Sequence, residues 1–268
     1  MIRTITSASN PLIKSIRKLK SRKTREETQT FYVEGIRAVG EALRTNQEVL
    51  HLIYCPELLD SDYGNQLIQT FDESSNVLIN VPRDVFKSFA LKDGPQGIAA
   101  VVRQQWSSLE MINKVGGLWI GLDSVQDPGN LGAILRSSDA VGGKGIILLD
   151  DTTDPFHPSS VRASTGAIFT QKIIKASFEK FSLWKSESYF PLIGTYCGDA
   201  ISYRSYNYPE NMILLMGSEQ KGLQSEHLEI CDEVVTIPMS GNVDSLNLSI
   251  AASIVMFEIY AQKRDYPK

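Results

Sequence analysis

The stretch "DSVQDPGNLGAILRSSDAVG" (123–142) decides how the second half of the chain is read. An apolar run, "LWIGL" (118–122), leads into it, and another, "GIILLD" (145–150), follows it. Between the two lie a Pro-Gly-Asn turn and a segment of helical period. Strand, turn, helix and strand in that order predict a parallel βαβ unit. Asn130 is placed at the helix N-cap, a position where a side-chain amide satisfies a free backbone N–H. Arg136 falls inside the helix.

Working outward, the same alternation continues. Strands are predicted at "QKIIKA" (171–176), "PLIGTYC" (191–197), "NMILLMG" (211–217) and "EVVTIP" (233–238). A long closing helix is predicted over 245–264, with Ile250, Ile254, Phe257 and Ala261 as its apolar stripe. Upstream, strands at 31–35, 49–55, 76–80 and 97–102 alternate with helices at 36–45, 62–72 and 83–91. That is a second, smaller α/β layer. The segment 103–117 ends in Gly116-Gly117 and reads as a linker. The expected organisation is therefore an α/β protein with domains at 1–105 and 106–268.

The common nucleotide-binding signatures are missing. No G-x-G-x-x-G follows strand 118–122, so a dinucleotide fold has no phosphate loop. There is no G-x-x-x-x-G-K-[ST] and no G-x-S-x-G. The three cysteines (Cys55, Cys197, Cys231) and three histidines (His51, His157, His227) are scattered without zinc spacing, so no metal is expected. Reduced thiols, an N-terminus without an apolar signal core, and no apolar run of membrane-spanning length point to a cytoplasmic protein, with no membrane among its partners.

The net charge of −4 conceals an uneven distribution. Residues 1–30 hold eight Lys or Arg against Glu26 and Glu27, so the rest of the chain is strongly acidic. Asn10-Pro11 opens a predicted basic helix over 11–25. Its Lys14, Arg17, Lys18, Arg22, Lys23 and Arg25 suit either a phosphate-rich partner or a solvated helix face.

Three polar segments fall where strands should end, which is where open α/β sheets bind ligands. They are "DPGNLGAILRSSDAVGG", "LLMGSEQKGL" and "IPMSGNVDSLNLSIAAS". Each has an ordinary reading alone: Asn130 and Ser245 as caps, Ser218-Glu219 as a helix start. Together, in this order, they resemble the three signature motifs of the SpoU (TrmH-like) RNA ribose methyltransferases of the SPOUT superfamily. Upstream, "ITSASNPLIKSIRKL…FYVEGIRAVGEAL" and "GPQGIAAVV" resemble the small substrate-binding domain many members carry. The resemblance covers nearly the whole chain.

That resemblance implies a C-terminal SPOUT domain with a parallel sheet and a deep trefoil knot, an exception to unknotted topology, plus a small N-terminal α/β substrate-binding domain. It implies S-adenosylmethionine as methyl donor, held by Thr195, Gly217, Ile237, Met239 and Leu246. It implies catalytic positions at Asn130, Arg136, Glu219, Ser245 and Asn247, and a homodimer whose active sites are completed across the interface. The implied reaction is attack by an RNA ribose 2′-hydroxyl on the sulfonium methyl group. An arginine is an awkward base near neutral pH. The role expected for Arg136 is therefore to grip a phosphate and stabilise developing alkoxide, with the basic helix positioning RNA. Ribosomal RNA is expected ahead of transfer RNA; a non-catalytic RNA-binding member is the other reading. Gln171-Lys172, Gln220 and Asp244 depart from the family pattern, all outside the five catalytic positions.

Overall fold

A computed structural model of the protein describes residues 2–71, 77–91 and 93–263. The predicted element ends at 72, 76 and 264 lie outside them. The chain divides into two compact units: residues 2–104 with Asp154–Phe169, and Gln105–Thr153 with Thr170 onward. The sequence reading put 154–169 with the second domain, but its contacts assign it to the first.

In the first unit, β1 (Ile2–Thr4) precedes two short helices, α1 (Pro11–Lys18) and α2 (Arg22–Thr28). The continuous basic helix expected over 11–25 is thus broken at Leu19–Ser21. Asn10 Oδ1 caps α1 by accepting from Leu12 N at 2.9 Å, with Pro11 at the first helical position. Then follow β2 (Thr30–Glu34), α3 (Ile36–Arg44), β3 (Val49–Tyr54), α4 (Asp62–Thr70), β4 (Val77–Asn80), α5 (Arg83–Lys87) and β5 (Ile98–Arg103). The strands form one mixed sheet in the order β1-β4-β3-β5-β2. Ile13 and Ile16 of α1 pack with Ile53, Ile79, Phe86 and Phe89 in its core. Phe31 of β2, 2 % exposed, packs between Phe156 (centroids 4.7 Å, tilted) and Phe169 (6.2 Å, stacked) from the returning segment. Burying one such ring stabilises by about 1.5–3 kcal/mol.

The second unit opens with α6 (Glu110–Val115), inside the stretch read as a linker. It continues with β6 (Leu118–Asp123), α7 (Pro128–Ala140) and β7 (Gly145–Leu149). After β7 the chain supplies α8 (Pro158–Ser164) to the first unit. It then returns as β8 (Lys172–Ala176), α9 (Phe178–Glu187), β9 (Leu192–Thr195), β10 (Ile201–Ser202), β11 (Met212–Met216), α10 (Ser225–Glu229), β12 (Glu233–Thr236) and α11 (Leu248–Lys263). The seven strands are all parallel, in the order β10-β12-β9-β11-β6-β7-β8. β6, β7 and β11 are buried along their whole length, as the central strands of a two-faced parallel sheet must be.

Two sequence expectations change here. The N-cap of α7 is Asp127, whose Oδ1 accepts from Asn130 N at 2.7 Å; Asn130 sits three residues inside. A carboxylate suits the positive end of the helix better than an amide. The apolar stripe assigned to α11 is largely turned away from the core: Ile250 is 53 % and Phe257 50 % exposed. The buried face is Leu248, Ala252, Val255, Met256 and Ile259. No helix among the described residues is long and apolar enough to cross a membrane.

Candidate active site

Three neighbouring strands, β12, β9 and β11, end side by side. The chain leaves them at Ile237, Tyr196 and Gly217. A cleft of about 330 Å³ lies at these ends. Thr195, Gly217, Ile237, Met239 and Leu246 all line it, together with Glu219, Ser245 and Leu248. Ser245 stands exposed on its wall. Thr195 is held by its hydroxyl, which donates to Leu215 O at 3.2 Å.

Gly217 is demanded by the turn that follows it. A Cβ there would lie 2.0 Å from the carbonyl carbon of Gly222 and 2.2 Å from Leu223 N, both backbone atoms. The loop closes on itself through Gly222 N donating to Ser218 O at 3.0 Å, with Gly222 in the left-handed region (φ 62°). This tight return, not a helix start, presents Glu219.

Glu219 anchors a chain of polar contacts drawn from all three motifs. Asn130 Nδ2 donates to Glu219 Oε1 at 3.1 Å, and Asn247 Nδ2 donates to Asn130 Oδ1 at 3.0 Å. Gln126 N donates to Glu219 Oε2 at 3.4 Å. Asn247 also caps α11, its Oδ1 accepting from Ser249 N at 3.0 Å. Each of these side chains is therefore fixed from two directions, which orients a site before any ligand arrives.

Arg136 is not part of this chain. It stands six residues beyond Asn130 on α7, about 240° around the helix at 3.6 residues per turn. It is exposed and makes no hydrogen bond or ion pair among the described residues. The face of α7 toward α11 is instead marked by Ser137, whose hydroxyl lies 2.8 Å from that of Ser253.

Of the six basic residues expected to meet RNA, Lys14, Lys18, Arg22 and Lys23 are exposed. Arg22 and Lys23 each pair with a glutamate one turn along, Glu26 at 2.9 Å and Glu27 at 3.9 Å. Arg17 is half-buried and donates to Ala8 O. Arg25 is a correction: at 1 % exposure it has no access to a phosphate. Its Nε and Nη2 each lie 2.7 Å from Asp154 Oδ2, and its Nη1 donates to Leu19 O and Lys20 O. The guanidinium fork ties the break between α1 and α2 to the returning segment.

Several site residues had no signal of their own. Gln126 contributes only a backbone N–H. Asp123, at the end of β6, and His227, in α10, are both buried, with Oδ1 and Nε2 3.5 Å apart. Gln224 N donates to His227 Nδ1 at 3.3 Å, so the imidazole braces the far end of the Glu219 loop. Cys197 stands exposed on the cleft wall. Among the described residues no group of three or more His, Cys, Asp or Glu could hold a metal ion.

A parallel α/β unit with its cleft and polar chain at neighbouring strand ends places the candidate site where open α/β sheets bind their ligands. The chain belongs to the SpoU rRNA Methylase family, whose model matches residues 117–257, while an MRM3-like substrate binding domain matches residues 10–100. It is similar over its full length to an AdoMet-bound rRNA methyltransferase from Sinorhizobium meliloti: TM-score 0.88, 33 % identity, 98 % of this chain and 99 % of that one. It is 29 % identical to the 23S rRNA (guanosine(2553)-2′-O)-methyltransferase RlmP of Bacillus subtilis, over 95 % of this chain and 98 % of the relative. A 23S rRNA (uridine(2479)-2′-O)-methyltransferase of Streptomyces viridochromogenes is 28 % identical over 91 % and 87 %.

Proposed function

We propose that this protein transfers a methyl group from S-adenosylmethionine to a ribose 2′-hydroxyl of ribosomal RNA, in the cytoplasm. The observation that carries the reading is the Asn247–Asn130–Glu219 chain beside a cleft lined by Thr195, Gly217, Ile237, Met239 and Leu246. The cleft suits the donor: its walls are mainly apolar, and at Gly217 backbone comes close enough to bar any side chain. S-adenosylmethionine would supply an electrophilic sulfonium methyl group. A trefoil knot formed by the loops after 217 and 237 and the closing helix is part of the same reading.

The protein's task is then positioning, because displacement needs the hydroxyl oxygen in line and roughly 3–3.5 Å from the methyl carbon. Asn130 and Asn247 hold the ribose side, and Glu219 orients Asn130. Ser245 holds the loop over the cleft. A guanidinium is a cation at neutral pH, so Arg136 grips the adjacent phosphate and stabilises developing alkoxide, while the proton leaves to phosphate or water. Lys14, Lys18, Arg22 and Lys23 supply sequence-independent phosphate contacts.

Arg136 projects away from the polar chain of its own subunit, and the same unit exposes Ile250 and Phe257 on α11. Both features support a homodimer in which the site of one copy receives Arg136 of the other. The deciding experiment is transfer of radiolabelled methyl from S-adenosylmethionine to unmodified ribosomal and transfer RNA, with Arg136→Ala as control. Label confined to ribosomal RNA, alkali-resistant at one nucleotide and lost in the variant, supports the reading. Label in transfer RNA would overturn the substrate class, and no label would overturn methyl transfer.

A further inference from the structure

The first unit holds a second cavity, of about 180 Å³, lined by Tyr32, Glu34, Ala38, Ser159, Val161 and Arg162 among others. It is far roomier than the space of a single buried water. Its lining joins β2 and α3 to the returning segment, all within one unit. Glu34 is half-engaged. Its Oε2 accepts from Leu91 N at 2.6 Å and from the Tyr32 hydroxyl at 3.3 Å. Its Oε1 is buried and has no hydrogen-bond partner among the described residues. Buried polar atoms are rarely left so, and a carboxylate oxygen can only accept. Burial and the neighbouring carboxylate push the Tyr32 phenol well above its ordinary pKa, so it stays a donor to Glu34. Arg162 on the same wall is exposed, with a guanidinium suited to an anion.

A ligand that meets all of this carries N–H donors on a flat, partly apolar body and a negative charge beside it. That is a nucleotide. We propose that this cavity receives one unpaired base of the RNA, with Glu34 Oε1 accepting from an exocyclic amino group and Arg162 meeting a flanking phosphate. Adenine, cytosine and guanine offer such an amino group. Uracil has only an imino N–H set between two carbonyl oxygens, which a carboxylate repels, so Glu34 selects against it. The proposal rests on the RNA reading above and adds a base-discriminating contact to the otherwise sequence-blind basic face.

The test is equilibrium binding of the full-length protein to A6, C6 and U6 single-stranded RNA by fluorescence anisotropy, for the wild type, Glu34→Gln and Ala38→Leu. Gln keeps a carbonyl oxygen for Leu91 but presents an amide donor toward the base; Leu at 38 fills the cavity without touching the carboxylate. The wild type should bind A6 and C6 roughly tenfold more tightly than U6, the effect of one lost charge-assisted hydrogen bond. Both variants should bring all three to the U6 value, with melting temperatures within about 2 °C of wild type. Equal binding of A6 and U6 by the wild type, or a preference surviving in Glu34→Gln, would overturn the proposal. So would a flattened preference accompanied by a large fall in melting temperature, which marks a structural role. Absent methyl transfer with an intact base preference would sink the methyltransferase reading while leaving the cavity's role standing.

Discussion

Asn130 and Glu219, 89 residues apart in sequence, meet through a 3.1 Å hydrogen bond in which the amide donates to the carboxylate. The direction of that bond sets a test. Asn130→Asp keeps the size and replaces the donor with a second carboxylate facing the first, so the hydrogen bond is exchanged for a like-charge contact. The expected result is a fall in kcat of about 100-fold or more, with S-adenosylmethionine affinity within about threefold of wild type because Asn130 does not line the cleft. Single-turnover methyl transfer and titration calorimetry separate the two quantities.

Arg25 and Lys23 are two residues apart and should behave oppositely. Arg25→Ala leaves Asp154 buried without its partner and should cost about 3–5 kcal/mol of stability, read by denaturant melting. Lys23→Ala should leave stability unchanged and lower RNA affinity, reducing the slope of log K against log salt by about 1. A stable Arg25→Ala protein with a weakened salt slope would return Arg25 to the RNA face.

The three thiols differ in a way that reports on the cleft. Cys197 is exposed on its wall, Cys55 is buried, and burial pushes the Cys231 thiol up to about 12. Only the thiolate alkylates readily. Iodoacetamide at pH 8 should therefore modify Cys197 first and leave Cys231 intact until unfolding. Saturating S-adenosylmethionine should slow labelling of Cys197 about fivefold or more, by analogy with ligand protection of a native site. Peptide mass mapping checks this; labelling of Cys197 at one rate with and without the donor would remove the donor from this cleft.

The exposed face of α11 predicts assembly. Phe257→Glu should shift the protein to half its mass in light scattering, without lowering the melting temperature of the monomer. Methyl transfer should fall with it, since Arg136 would no longer reach a partner's site. Activity retained in a monomeric variant would place Arg136 in its own subunit's chemistry.

Much of this was legible because parallel strands buried on both faces read as unbroken apolar runs, and polar residues at their ends then stand out. "ILLM" before Gly217 is such a case. What stayed hidden depended on partners distant in sequence. Arg25 looks like its basic neighbours until Asp154 is found beside it, 129 residues on. Both Asp127 and Asn130 suit a helix start, and only geometry shows which one accepts the N–H. In α11 nearly every side of the helix is apolar, so periodicity could not say which stripe faces inward. The pairing of Asp123 with His227 carries no local pattern at all.

The return of Asp154–Phe169 to the first unit bears on how the protein is made. Phe31 lacks two of its neighbouring rings until Phe156 and Phe169 have been synthesised. At about 5–20 residues per second, the ribosome needs roughly 3–13 seconds to travel from residue 104 to residue 169. During that interval β6, α7 and β7 are synthesised while the N-terminal sheet is still missing part of its core. Birth of the two units is thus interleaved rather than sequential, and a nascent chain stalled at residue 110 should be more open to protease than one stalled at residue 200.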